Sequence, residues 1–335
     1  MRPKDALRVE TLTVTFRSSG HAVVRGVSFE IAAGEAFGLV GESGSGKSLT
    51  CRAILRLLPR GASAAGRVTY GARSLLELGD AEMQTLRGST IAMIFQDPMT
   101  ALNPVLRVGD AIAQVIRSHE GLGARAARTR AIEMMERVGI RDAARRAAAY
   151  PHEFSGGMRQ RIHIAMALAA RPTLLLADEP TTALDVIVQA EILRLLDDLR
   201  REQGMSLLLV SHDFRVVAGV CDRVAVMYAG ELVELGPTRT VLQRPEHPYT
   251  IGLMNSLPEA VTGERLRAIP GVPPDPGRLP PGCAFASRCE LAVDACSAAP
   301  IALSQTAPGH WSRCIRIDRL DDMRRGLAAA DSACV

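Results

Sequence analysis

Apolar and polar positions alternate from Leu7 to Phe16, with Leu12, Val14 and Phe16 on one face. They alternate again from Val23 to Ile31, through Val27, Phe29 and Ile31. A period of two predicts half-buried strands. Four later stretches are continuously apolar instead: Ala36–Val40, Thr90–Phe95, the run from Thr173 that ends in Asp178 and Glu179, and Ser206–Ser211. Runs of that length predict strands buried on both faces. Between them lie helical patterns. One runs from Leu49 to Leu58 and stops before Pro59. A second runs from Val108 to Val138, interrupted near Gly121 and Gly123, and reads as a helical insertion between core strands. A third starts after Ser155, a good N-cap, and ends near Ala170 before Pro172; a fourth spans about Val186 to Arg201. Val224 to Leu235 reads as a hairpin around Ala229-Gly230. Pro98 and Pro104 break the chain after the second buried strand.

The stretch Gly41-Glu42-Ser43-Gly44-Ser45-Gly46-Lys47-Ser48 joins the first buried strand to the first helix. It fits the phosphate-binding P-loop pattern. Its glycines let successive backbone N–H groups face a phosphate, and the helix N-terminus adds partial positive charge. Lys47 is placed to reach β- and γ-phosphates and Ser48 to hold Mg²⁺. Asp178 and Glu179 follow an apolar strand, where ligands of open parallel sheets bind. Asp178 is then a Mg²⁺ candidate and Glu179 a candidate to polarise an attacking water. His212 follows another such strand and can reach a γ-phosphate and the water. Ser155-Gly156-Gly157 opens a helix whose first turn lets an anion come close. Phe16 stands equally for a face that stacks on adenine and for an ordinary core phenylalanine.

Composition changes the picture in a few places. The 335 residues allow two domains, or one with an appendage, and 47% hydrophobic residues supply a sizeable core. A net charge of +4 argues for neither nucleic acid nor acidic lipid. No apolar run approaches the ~18 residues of a membrane span. Met1 to Thr11 is polar, without a signal-peptide core, so the protein is expected in the cytosol. Lysine and arginine total 40, yet only Lys4 and Lys47 are lysines. Lys47 thus stands where a compact ammonium serves better than a guanidinium. Arg125, Arg128, Arg130 and Arg137 of the insertion read as a solvated face.

Taken together, the P-loop, Gln96, Ser155-Gly156-Gly157, Asp178-Glu179, Asp185 and His212 have the order and spacing of ABC transporter ATPases. The resemblance covers about Leu7 to Gly236. It is closer to the ATPase subunits of oligopeptide and dipeptide importers, whose wording is visible in several places. These are Phe95-Gln96-Asp97-Pro98 through Leu102-Asn103-Pro104, Phe154 through Arg161, Asp178 through Asp185, and His247-Pro248-Tyr249-Thr250. Phe154 and Met158 replace the outer residues of the wider family's Leu-Ser-Gly-Gly-Gln signature. The resemblance implies an α/β fold: a P-loop ABC ATPase with a RecA-like core, an antiparallel β layer, a helical insertion and a small C-terminal cysteine-containing extension. It places the nucleotide-binding domain at 1–236, its helical subdomain at about 97–170, and the C-terminal domain at 237–335.

It also implies roles. ATP is held by Phe16, Gly41, Ser43, Gly44, Ser45, Gly46, Lys47, Ser48 and Leu49, and, across a head-to-tail dimer, by Ser155, Gly156, Gly157 and Asp185. Ser48, Gln96 and Asp178 hold Mg²⁺; Glu179, His212 and Gln96 serve hydrolysis. The implied partners are a second ABC ATPase, identical or paralogous, two membrane permeases and an extracytoplasmic solute-binding protein acting through them, with no nucleic acid. The implied location is the cytoplasmic face of the cell membrane, as a peripheral subunit. The competing reading is a soluble ABC ATPase acting on nucleic acid or the ribosome. Such proteins carry long coiled coils or paired cassettes, which this chain lacks. Intact Glu179 and His212 argue against a non-catalytic regulatory subunit.

From Ile269 to Gly282 prolines are dense, which predicts an extended segment. It leads to Cys283, Cys289, Cys296 and Cys314, spaced C-x5-C-x6-C-x17-C. Structural disulfides are disfavoured in the cytosol. Structural zinc favours closer pairs, iron–sulfur clusters tolerate varied spacing, and free thiols remain open. The resemblance suggests a [4Fe–4S] cluster. Cys51 and Cys221 read as small core residues, and Cys334 has no company.

Overall fold

The computed structural model describes residues 6–97, 101–182, 184–256 and 269–324. Lys4, Pro98, Ala183 and Cys334 lie outside the described residues. Strands β1 (Leu7–Phe16), β2 (Ala22–Ile31) and β3 (Ala36–Val40) come first, then α1 (Lys47–Ile54), β4 (Ala62–Tyr70), β5 (Arg73–Ser74), α2 (Asp80–Leu86) and β6 (Ile91–Ile94). Helices α3 (Val108–Glu120), α4 (Ala124–Arg137), α5 (Ala143–Arg146) and α6 (Gly156–Leu168) precede β7 (Leu174–Asp178), α7 (Val186–Gln203) and β8 (Ser206–Ser211). Then come α8 (Phe214–Ala218), β9 (Arg223–Tyr228), β10 (Glu231–Pro237), α9 (Thr238–Gln243), α10 (Pro248–Asn255), α11 (Asp294–Ala298), β11 (Ser304–Ala307), β12 (His310–Ser312) and α12 (Asp321–Arg324). The chain divides into two compact units.

One unit comprises residues 1–6, 31–36 and 77–210. Its β6 and β7 pair in parallel, Ile91 opposite Leu174, and β7 pairs with β8, Leu174 opposite Ser206. Every residue of β6, β7 and β8 is buried, as continuous apolar runs require. Helices α3–α6 fall between β6 and β7, where the insertion was expected. α3 ends at Gly121 in the left-handed conformation, φ 66°, which stops the helix without a Cβ penalty. Ala111, Ile112 and Ile116 of α3 and Ala127, Ala131, Met134 and Met135 of α4 are buried. Arg125, Arg128 and Arg137 are exposed and Arg130 is half-buried. Arg128, Arg130 and Arg137 pair with Asp110, Glu120 and Glu202.

The other unit comprises residues 7–30, 37–76 and 211–335. It holds the four-stranded sheet β2-β1-β4-β5, with β1 antiparallel to β4. β1 carries a bulge between Glu10 and Thr13, with Thr11 at φ 48°. The extra residue switches the buried parity from Leu7 and Val9 to Leu12 and Val14, so both halves face one side. β3 runs parallel to β9, and β10, β12 and β11 follow by antiparallel pairing. The β9–β10 hairpin turns at Ala229 and Gly230, with φ 45° and 88°, as a tight turn of two left-handed residues demands. Ile269–Gly282 forms no helix or strand.

One boundary is corrected. α1 begins at Lys47 and ends at Ile54, against an expected Leu49–Leu58. Arg56 adopts φ 52°, and the Leu57 N–H bonds back to the Arg52 carbonyl, so the chain has left the helix before Pro59 is reached. Neither residue signals a stop in sequence.

Candidate functional site

The P-loop leaves β3 and turns into α1. Gly44 and Gly46 have φ of 81° and 108°, and Gly46 serves as the α1 N-cap. At Gly41 a Cβ would lie 2.1 Å from the Met227 carbonyl oxygen, so the close pass of β9 excludes any side chain. The Gly230 N–H donates to the Ser45 carbonyl at 3.0 Å. Lys47 is 4% exposed, and its Nζ donates to the Gly41 carbonyl at 2.7 Å and the Glu42 carbonyl at 2.9 Å. The ammonium is thus held inside the loop by its own backbone. Ser43 is exposed, Ser45 buried, and Ser48 and Leu49 half-buried in the first turn of α1. Phe16 is half-buried at the end of β1, and His212 is exposed just after β8.

In the other unit β7 delivers Asp178 and Glu179. Asp178 is 1% exposed and pairs in register with Val210. Glu179 turns sharply out of the strand at φ 46°, a region costly for a non-glycine residue, and its N–H is held by the Val210 carbonyl at 3.1 Å. The turn aims its carboxylate so that Oε2 accepts from Gln96 Nε2 at 3.0 Å and from Thr182 Oγ1 at 2.9 Å. Gln96 and Glu179, far apart in sequence, therefore meet. Phe95, which precedes Gln96, stacks on His163 of α6, with ring centroids 6.3 Å apart and planes 5° apart. Burial drives the His163 pKa down to about 4, only partly offset by the Asp97 charge, so the ring is neutral.

Ser155 caps α6, its hydroxyl accepting from the Met158 N–H. Gly156 and Gly157 open the helix beside Leu184 and Val188. A Cβ on Gly157 would come 2.6 Å from Val188 Cγ1, so that glycine also serves the packing of α6 against α7. Asp185 caps α7, with Oδ1 accepting from the Val188 N–H at 3.0 Å.

In the C-terminal segment, Cys283, Cys289, Cys296 and Cys314 line one cavity of about 20 Å³ with His247 and Phe285. The Cys283 N–H bonds to the Cys296 carbonyl at 2.7 Å, and Cys283 Sγ lies 4.0 Å from His247 Nε2. Burial pushes the Cys283 thiol up to about 11 and the Cys314 thiol up to about 12, and the neighbouring thiols add to both shifts. The donor chemistry of four sulfurs suits a soft metal centre. The geometry does not present one: among the described residues no three His, Cys, Asp or Glu side chains stand together as a metal-holding group. Cys51 and Cys221 are buried, as small core residues would be.

Four contact residues were missed in the sequence reading. Glu42 occupies a free position of the P-loop pattern. Thr182 and Tyr249 sit inside quoted motifs that gave them no role, and Arg288 carries no signal beyond its place beside Cys289.

A buried strand that turns into a glycine-rich loop and helix, with a second strand ending in a buried aspartate and a strained glutamate, defines the class of P-loop ATPases. The profile of the ABC transporter family matches residues 24–182, and that of the oligopeptide/dipeptide transporter C-terminal region matches residues 233–296. The chain is 47% identical to the oligopeptide transport ATP-binding protein OppD of Escherichia coli, over 92% of this chain and 93% of that protein. It is 48% identical to the dipeptide transport ATP-binding protein DppD of Bacillus subtilis, over 88% and 89%. Among solved structures it resembles the ATP-binding cassette MJ0796, seen as a dimer in a post-hydrolysis state with ADP and Pi. The TM-score is 0.63 and the identity 28%, over 70% of this chain and 99% of that one. The chain belongs to the ABC transporter family, among the ATP-binding proteins of oligopeptide and dipeptide transporters.

Proposed function

We propose that the chain is the ATP-hydrolysing subunit that energises import of peptides or related small solutes through a membrane permease complex. One observation carries this reading over a soluble ABC ATPase: the similarity to peptide-transport ATP-binding proteins runs through the tail as well as the cassette, over 92% of the chain for OppD. No helix among the described residues is long and apolar enough to cross a membrane. In this reading the subunit is a peripheral partner of two permeases at the cytoplasmic face, with an extracytoplasmic solute-binding protein on the far side. Exposed apolar side chains at Val105 and Leu106, in the segment after Gln96, suit docking to a permease. Nucleic acid is not among the proposed partners.

In this reading residues 1–236 form the nucleotide-binding domain, with a helical subdomain at about 97–170, and residues 237–335 form the C-terminal domain. Lys47 and the P-loop N–H groups bind the phosphates of ATP, and Phe16 stacks on adenine. Ser48, Asp178 and Gln96 hold Mg²⁺, which offsets phosphate charge. Glu179 orients and polarises the attacking water, and His212 holds the γ-phosphate. Ser155, Gly156, Gly157 and Asp185 serve the site of a second ATPase subunit. Exposed Val186 and Ile187, just after Asp185, give that partner an apolar contact. ATP binds the closed pair better than the open one, and that differential affinity drives the permeases.

The same reading gives Cys283, Cys289, Cys296 and Cys314 to a [4Fe–4S] cluster. Their convergence on one cavity supports it, although the thiols must move to close around a cluster. ATP turnover by the full complex tests the ATPase reading. Lys47→Ala should lose nucleotide binding; a variant that binds and hydrolyses ATP like the wild type would refute the P-loop assignment.

A further inference from the structure

Glu42, in a free position of the P-loop, is gripped by the C-terminal segment. Arg288 makes a two-pronged ion pair with it, NH1 to Oε2 at 2.8 Å and NH2 to Oε1 at 3.1 Å. The side chains are only 5% and 25% exposed, so the pair is shielded from water and unlike a surface salt bridge. The guanidinium has a built seat. Its Nε donates to the Pro270 carbonyl at 2.8 Å and its NH1 to the Tyr228 hydroxyl at 3.3 Å. It lies 5.8 Å from the ring centroids of both Tyr228 and Phe285. Tyr228, Tyr249 and Phe285 pack on one another, with centroids 4.5 to 5.4 Å apart.

Tyr249 adds a second grip. Its hydroxyl accepts the Glu42 backbone N–H at 2.7 Å. Tyr249 is fully buried and caught between Tyr228 and Phe285, so the hydroxyl has little freedom to leave. Glu42 is in turn one of the two residues whose carbonyls hold Lys47 Nζ. An unbroken chain of contacts thus runs from Arg288 and Tyr249 through Glu42 to Lys47.

We propose that Arg288 and Tyr249 are positioning residues for the nucleotide site: by fixing Glu42 they pre-organise the P-loop and the Lys47 ammonium before nucleotide arrives. The physical reason is entropic. A loop that must present several N–H groups to phosphate loses freedom on binding unless it is already ordered, and pre-ordering strengthens binding. The segment that lines the thiol cavity, through Cys289, is then the one that sets nucleotide affinity, through Arg288. The inference rests on the nucleotide reading of the P-loop.

The test uses the full transporter complex. ATP affinity, KM and kcat are measured for Arg288→Gln, Arg288→Lys, Glu42→Gln, Tyr249→Phe and the Glu42→Gln/Arg288→Gln double variant, with Lys47→Ala as control. Each single neutralising change should raise the ATP dissociation constant and KM about tenfold, the scale of one charged hydrogen bond, with kcat little changed. The double variant should be no worse than the poorer single one, because both remove the same contact. Arg288→Lys should recover part of the loss. Glu42→Gln is isosteric and partly exposed, so it decides the matter even if Arg288→Gln does not fold. Wild-type KM in folded Glu42→Gln and Tyr249→Phe, beside a Lys47→Ala that has lost binding, overturns the inference and leaves the nucleotide reading standing. Equal losses in kcat and kcat/KM also overturn it. Unimpaired binding by Lys47→Ala overturns the nucleotide reading itself.

Discussion

The Gln96 side-chain amide donates to Glu179 Oε2 at 3.0 Å, and Thr182 donates to the same oxygen at 2.9 Å. The carboxylate is therefore oriented from two sides, while φ 46° at Glu179 projects it beyond β7. A general base needs such orientation toward its water. Glu179→Gln keeps the shape and one oxygen able to accept from Gln96 and Thr182, but removes the basicity. It should bind ATP normally, hydrolyse it at least ~10²-fold more slowly and trap the closed dimer. Hydrolysis at the wild-type rate by this variant in the full complex would mean that Glu179 is not the base.

The Ser155-capped first turn of α6 packs Gly156 against Leu184 and Gly157 against Val188, within its own unit. In the proposed mechanism that turn completes the nucleotide site of a second subunit. The isolated chain should then be a poor ATPase, with specific activity rising more than linearly with concentration or appearing only with a paralogous partner. Sedimentation alongside an activity titration checks this. Full specific activity from a verified dilute monomer would contradict it.

How much of this was legible in the sequence depends on range. The buried strands were read well, because β6, β7 and β8 are apolar except at strand ends and need no partner information to be recognised. The glycine turn of the P-loop and the Ser155 cap were legible because both act over a few residues, whereas the cap at Asp185 was not read and its place came from the resemblance alone. The parity switch in β1 was not, since Leu12, Val14 and Phe16 define one face and Leu7 and Val9 the other until the bulge reconciles them. The end of α1 was missed because Arg56 leaves the helix without a glycine or proline to mark it. The Glu42–Arg288 pair spans 246 residues and belongs to no periodic pattern, so only the fold brings it together.

Two buried histidines make the fold sensitive to acid. His163 is held down to about 4 and His247 to about 3, in both cases chiefly by burial. Their unfolded value is 6.5, so the stability that comes from keeping them neutral is complete above pH 6.5 and is lost as pH falls toward the folded values. The shift at His163 corresponds to on the order of 3 kcal/mol across that window. Denaturant titrations from pH 7 to pH 4 should show falling stability, and His163→Phe, which keeps a ring against Phe95, should flatten the curve. An unchanged pH slope in that variant would remove His163 as a source.

Cys283, Cys289, Cys296 and Cys314 share a cavity, and burial raises the Cys283 and Cys314 thiol pKa values to about 11 and about 12. Without a cation these two thiols stay protonated at neutral pH, and bringing in a metal must expel their protons. The segment around them has only short elements, helices of four or five residues and two short strands, so a metal centre would be an effective staple for it. Protein purified without oxygen should be brown and carry about four irons per chain. Any one of the Cys→Ser changes at 283, 289, 296 or 314 should bleach it and lower the melting temperature of the C-terminal segment. Colourless anaerobic protein with one tightly bound zinc, or with four thiols alkylated in the native state, would remove the cluster and leave the ATPase assignment intact.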